Sequence, residues 1–196
     1  MILPTLRRNA LPNVYEGFGL IELMGVLSIA AIMVFVGAPI IADFVQDSRL
    51  RVSANALQNS FAQARSAAVA RSARVTVCIS SDGQNCTTGN WADGWVIFED
   101  ENALGEIDET NDTRIKVQQA LQGTVTVLPS TEMSDAVFFD FLGFVRNTSD
   151  DGDYLSGSFL VCDDRGDAAN TRAVYLGAAG SSRVGGPENA MSCDSE

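Results

Sequence analysis

Apolar and polar positions change their spacing several times along this chain of 196 residues. From Phe18 to Ile41 there are 24 residues, and Glu22 alone among them is charged. With a rise of about 1.5 Å per residue, a helix of that length spans the roughly 30 Å hydrocarbon core of a bilayer. Further on, Leu50, Ala54, Leu57, Phe61, Ala64 and Ala68 recur at intervals of three or four, which is one apolar stripe on a helix. Gln46, Asp47, Arg51, Gln58, Asn59, Gln63 and Arg65 lie mostly off the stripe. The stripe is short and rich in alanine, so it suits close packing on a sheet better than a coiled coil. The two segments together predict a single helix of roughly 50 residues, apolar all round in its first half and one-sided in its second. Pro39 falls inside it and removes one backbone hydrogen bond, which predicts a kink rather than a stop.

From Arg74 the period becomes two. Val75, Val77 and Ile79 alternate with Thr76, Cys78 and Ser80, the pattern of a strand with one buried face. A loop rich in Gly, Asn, Thr and Asp follows from Ser81 to Asp93, and Trp95–Phe98 reads as a buried strand. Residues Glu99–Asp112 form an acidic, solvent-facing loop with a turn at Gly105. Strand-like runs then come at Arg114–Gln118, Thr124–Leu128, Ala136–Phe141, Ser158–Asp163 and Thr171–Leu176, with a turn or bulge at Leu142–Phe144. The fold class this predicts is α+β: one long N-terminal helix, its second half packed on an antiparallel β-sheet domain. Trp91, Trp95, Phe98, Phe138, Phe139, Phe141 and Phe144 are the expected sheet core.

Charge orients the chain. Arg7 and Arg8 precede the apolar run, and Asp43 and Asp47 follow it. That asymmetry predicts a cytoplasmic N-terminus and an outer location for everything after Ile41. The net charge is −12, which disfavours a broad nucleic-acid footprint. The chain has no histidine, so the commonest general base and metal ligand is missing. The four cysteines, Cys78, Cys86, Cys162 and Cys193, all fall on the predicted outer side, where disulfides persist. No C-x-x-C pair suggests zinc. Of the three possible connectivities, Cys78–Cys86 with Cys162–Cys193 is favoured because both bonds close local loops.

Glu22 does not suit a plain anchor. An ionised carboxylate inside an apolar span costs about 2.5–3.5 kcal/mol. The residues around it, Gly17-Phe18-Gly19-Leu20-Ile21-Glu22-Leu23, resemble the signal of type IV prepilins and type II secretion pseudopilins. The resemblance implies that a prepilin peptidase cuts between Gly17 and Phe18 and methylates the new amine of Phe18. Threonine is usual where Gly19 stands. Glu22 then becomes the fifth mature residue and an assembly residue, able to pair with the Phe18 amine of a neighbouring subunit. Removing residues 1–17 takes the net charge to −13.

The second half of the chain narrows the family. The helix from Leu57, the Val75-Thr76-Val77-Cys78 strand, Asp82-Gly83 with Cys86, Trp91-x-x-Gly94-Trp95-Val96-Ile97-Phe98 and Phe159-x-Val161-Cys162 resemble the GspH/FimT group of minor pilins and pseudopilins. This implies a pilin-like organisation: a leader at 1–17, a transmembrane helix at 18–41, the exposed half of the long helix at 42–73, and a periplasmic β domain at 74–196. It also implies a single-pass inner-membrane protein that enters a filament. Its partners would be other pilin or pseudopilin subunits, the prepilin peptidase and an inner-membrane assembly platform.

Other chemistries are weaker. No G-x-S-x-G or phosphate-binding glycine loop is present, and the carboxylate pairs Asp150/Asp151 and Asp163/Asp164 sit in polar stretches; no enzymatic role and no cofactor is expected. Calcium stays open, because some pseudopilins bind it and Glu99–Asp112 and Asp150–Asp153 are rich in hard oxygen ligands, though neither has EF-hand spacing. Some relatives bind DNA during natural transformation through Gly-Arg-x-Arg. Here Gly180-Ser181-Ser182-Arg183 keeps the second arginine alone, so a DNA contact would rest on Arg183 and Arg172.

Overall fold

The computed structural model describes residues 17, 19–102, 104–133, 135–147, 152–166, 170–187 and 193. Helix α1 runs Leu20–Arg71, and the chain divides into two units, Met1–Ala42 and Asp43–Glu196. α1 continues through Pro39; the side chains of residues 38–40 lie outside the described set.

In the first unit every described helical residue from Leu20 to Val36 is exposed. In the second, the stripe Leu50, Ala54, Leu57, Phe61, Ala64 and Ala68 is fully buried. It forms one wall of the core and meets the inner faces of two antiparallel sheets.

The strands are β1 (Val75–Ile79), β2 (Gly94–Glu99), β3 (Thr113–Gln119), β4 (Thr126–Pro129), β5 (Ala136–Phe139), β6 (Val145–Arg146), β7 (Gly157–Cys162), β8 (Arg172–Leu176) and β9 (Ser182–Gly185). They form a five-stranded sheet, β3-β2-β1-β5-β6, and a four-stranded sheet, β4-β7-β8-β9, with every pairing antiparallel. Between the sheets and α1 sits an aromatic cluster. Phe61 lies 5.1 Å from Phe159 and 6.1 Å from Trp91 between ring centroids, and Trp91 packs edge-on against Phe159 at 5.2 Å. Asn90 joins the sheets by its side chain. Its Oδ1 accepts from the N–H of Ala92 in the 3₁₀ turn Trp91–Asp93 and from that of Val127 in β4, at 2.8 and 3.0 Å.

The alternation read into β1 holds for one face and misses the other. Val75, Val77 and Ile79 join the main core, yet Thr76 and Cys78 are buried too. A second cluster covers that outer face: Cys78, Val96 and Phe98 pack with Cys86, Ile107 and Ala136. The loops on either side of β2 fold back over the sheet, so strand periodicity alone could not reveal this layer.

The aromatic expectation holds for Trp91, Trp95, Phe98 and Phe139, which are buried. Phe138, over Gly105, and Phe144, against Tyr154, are half-buried and lie outside the core clusters, and Phe141 departs furthest. Phe141 is 58% exposed, because β5 ends at Phe139 and the chain turns through Asp140–Gly143. Asp140 shapes that turn. Its Oδ1 accepts from the N–H of Leu142 and Phe144, while Oδ2 holds the Arg146 guanidinium at 2.9 Å.

Candidate assembly site

The helix start is built by Gly19, whose carbonyl accepts from the N–H of Glu22 and of Leu23, both at 3.1 Å. Glu22 stands exposed in the first turn, where a carboxylate is favoured by the free N–H groups and the helix dipole. Gly17 is exposed; Phe18 lies outside the described residues. The exposed apolar flank of the first unit, with Phe35 at 84%, is long and apolar enough for a membrane span, with a mean hydropathy of 2.4 over its most apolar window.

In the second unit the cysteines join Cys78 to Cys86 and Cys162 to Cys193. The first ties the loop after β1 onto the outer face of the five-stranded sheet. The second draws Cys193 against Leu160, Cys162, Ala173, Leu128 and Tyr175 on the outer face of the four-stranded sheet.

The acidic loop between β2 and β3 is not simply a solvated segment. Asp100 is buried; it accepts from Thr76 Oγ1 at 2.9 Å and from the N–H groups of Leu104 and Gly105. Asp112 accepts from the N–H of Glu101 and of Asp108. These carboxylates hold the loop's backbone, and among the described residues no three His, Cys, Asp or Glu side chains gather as a metal site. Asp150 and Asp151 lie outside the described residues.

Arg172 and Arg183 are not brought together. Arg172 shares the parity of Val174 and Leu176, whose side chains enter the main core, and it acts electrostatically on Asp47 of α1. Arg183 pairs in register with Tyr175 on the opposite face and stacks on its ring at 4.1 Å. Strand alternation therefore sets the two arginines on opposite faces of the sheet.

One arginine was not foreseen. Arg165, in the loop after β7, binds Asp47 at 2.8 Å, also pairs with Asp163, and reaches Asp43 at 3.9 Å. Its hydrogen bond holds the Asp47 carboxyl below the ordinary carboxylate range. Likewise Asp82 lies well below it, held by the backbone N–H groups of Asn85 and Gln84. The i, i+4 spacing of Asp43 and Asp47 was a signal that a cation could grip both; nothing local pointed to Arg165.

A long helix with an exposed apolar first half and a second half buried in antiparallel sheets defines a pilin-type fold. The crystal structure of the type IV minor pilin FimU of Pseudomonas aeruginosa strain PAO1 aligns with a TM-score of 0.55 at 18% identity, over 78% of this chain and 98% of that one. The minor pseudopilin EpsH of the Vibrio cholerae type 2 secretion system aligns more loosely, with a TM-score of 0.48 at 13% identity over 72% and 99%. The sequence profile of the family described as Type II transport protein GspH matches residues 53–180, and the chain belongs to that family. No curated protein sequence matches it.

Proposed function

We propose that this protein is a minor pilin or pseudopilin, a structural subunit that initiates or caps a filament. In this reading a prepilin peptidase cuts between Gly17 and Phe18 and methylates the Phe18 amine. The apolar half of α1 anchors the chain in the inner membrane with its N-terminus in the cytoplasm, and an assembly platform then moves it into a filament with other pilin subunits. A single observation carries the reading: one unbroken helix joins an exposed apolar segment bearing Glu22 in its first turn to a β domain of the GspH family.

The physical argument concerns charge in a membrane. A carboxylate and an ammonium in hydrocarbon each need a partner. Pairing Glu22 of one subunit with the Phe18 amine of the next removes both costs at once, and so drives assembly. We take the machine to be the type IV pilus, because two cysteine pairs resemble the pilus members of the GspH/FimT group more than its secretion members.

The test is a deletion strain complemented with wild-type or Glu22→Ala protein, scored together for surface pili, twitching, DNA uptake and extracellular enzyme release. Wild-type protein should restore pili and twitching. The Glu22→Ala chain should accumulate in the membrane without restoring them. Restoration by Glu22→Ala would overturn the assembly role, and loss of secretion with normal pili would move the protein to the secretion machine.

A further inference from the structure

Between Ala42, where the first unit ends, and Leu50, where the helix first enters the core, α1 runs through residues 43–49 with no buried side chain. Apolar burial therefore does not hold this stretch. Just before it stand Gly37 and Pro39, and glycine and proline are the two least favourable residues in a helix interior. A helix that opens at such a point frays onward until something resists. With the core as the only restraint, the opening would reach Leu50.

Arg165 supplies an earlier restraint. Its Nη1 lies 3.9 Å from Asp43 and its Nη2 2.8 Å from Asp47. These carboxylates are four residues apart and share one face of the helix, so a single side chain grips a whole turn. The β domain holds the other edge of the guanidinium. Nε donates to Asp163 Oδ2 at 2.8 Å, and Asp163 Oδ1 accepts from the Arg165 N–H. Asp163 directly follows Cys162, which is fixed by its pairing with Thr126 in β4 and by its disulfide to Cys193. The Arg165 side chain is only 20% exposed, so its ion pairs are less screened than surface ones, and its planar fork is pre-organised for them. Arg49 lies close to Gly123, but it stands next to Leu50 and leaves the turn from Asp43 to Asp47 to Arg165.

We propose that Arg165 is a strut that keeps residues 43–49 helical when the helix before them opens, so that the weak joint of α1 ends at Ala42 instead of reaching Leu50. The strut shortens the joint by about two turns of helix. It acts from the loop after β7, through a cation that no apolar contact replaces. In the filament reading, a short joint limits the orientations open to the β domain beside its neighbours. The strut itself is a property of the folded chain and is measured without a filament.

The test is amide hydrogen exchange on the full-length protein in detergent micelles. Arg165→Gln should speed exchange at residues 43–49 about tenfold, the scale set by losing a charge-assisted hydrogen bond, and leave Leu57–Ala68 at wild-type rates. Arg165→Lys keeps the charge without the fork and should fall between the two. Arg165→Gln also leaves Asp163 without its cation, so the double variant Asp43→Asn/Asp47→Asn approaches the strut from the helix side; it should give the same local acceleration. Unchanged rates at 43–49 in either Arg165→Gln or the double variant would overturn the strut. So would an equal rise from residue 43 through Ala68, which would make Arg165 a support of the whole domain and not of this turn. None of these outcomes bears on whether the chain enters a filament, so the strut and the filament reading fail separately.

Discussion

The two halves of α1 are both apolar, and they differ in what surrounds them. From Leu20 to Val36 the apolar residues go all the way round and are all exposed. From Leu50 to Ala68 a single stripe is fully buried, while apolar residues off it, such as Val52, are exposed. The first half needs an apolar solvent, and past its first turn its backbone groups are satisfied by helical hydrogen bonds, as a membrane requires. The second half needs a particular surface, the inner faces of two sheets. The same secondary structure therefore makes opposite demands on sequence. In the anchor, size and shape at each position are loosely constrained. In the core, Phe61 touches Trp91, Phe139 and Phe159, and each neighbour depends on its shape.

The sharpest way to break this contrast is to truncate one phenylalanine in each half. Phe61→Ala should cost about 3–5 kcal/mol, the range for removing a buried aromatic side chain, read as a lower denaturation midpoint of the full chain in detergent. Phe35→Ala should leave that midpoint unchanged. Equal losses would mean that the two halves are not distinct environments.

A somewhat smaller effect is expected from the disulfides, all in the second unit. On the chain-entropy account, losing Cys162–Cys193, with its separation of 31 residues, should cost about 3.7 kcal/mol, and losing Cys78–Cys86, separation 8, about 2.5 kcal/mol. Melting each double Cys→Ala variant checks both the magnitudes and their order. Next comes Asp100→Asn, which places an amide where three donors converge and should cost about 1–3 kcal/mol; hydrogen exchange should rise first at Leu104 and Gly105.

The smallest effect is that of acid. Asp47 is held below its ordinary pKa by Arg165, Asp82 and Asp108 by backbone N–H groups, and Glu132 by its own N–H. A depressed carboxylate stabilises the fold fully above its unfolded pKa, and the contribution is lost as pH falls through the folded value. Stability should thus be flat above about pH 4–5 and decline below it. All four groups lie in the second unit. Circular dichroism on acidification should show loss of β signal while the helical anchor persists in detergent; a simultaneous loss would remove the distinction.

How far the sequence was legible follows from the range of the interactions involved. The stripe from Leu50 to Ala68 was readable because helix periodicity is local, and β1, β2 and β7 because strand patterns are. The division into two sheets was not. It depends on pairings such as Val127 with Val161, and on β9, whose Ser182-Arg183-Val184-Gly185 has little apolar alternation. The burial of Cys78 was hidden because a loop, not a strand, covers that face. At the candidate site, Gly17, Glu22 and the cysteines stood out by type and spacing. Arg165 did not, since its partner Asp47 is 118 residues away. Arg172 and Arg183 looked alike in sequence and were separated by strand parity alone.

The account turns on residues 17, 18 and 22 acting as a processing and assembly signal. Mass spectrometry of the N-terminal peptide, from protein recovered in sheared filaments, tests that most directly. The predicted peptide begins at an N-methylated Phe18. Recovery of a chain that still carries residues 1–17, or its absence from filaments while the processed form stays in the inner membrane, would contradict the account.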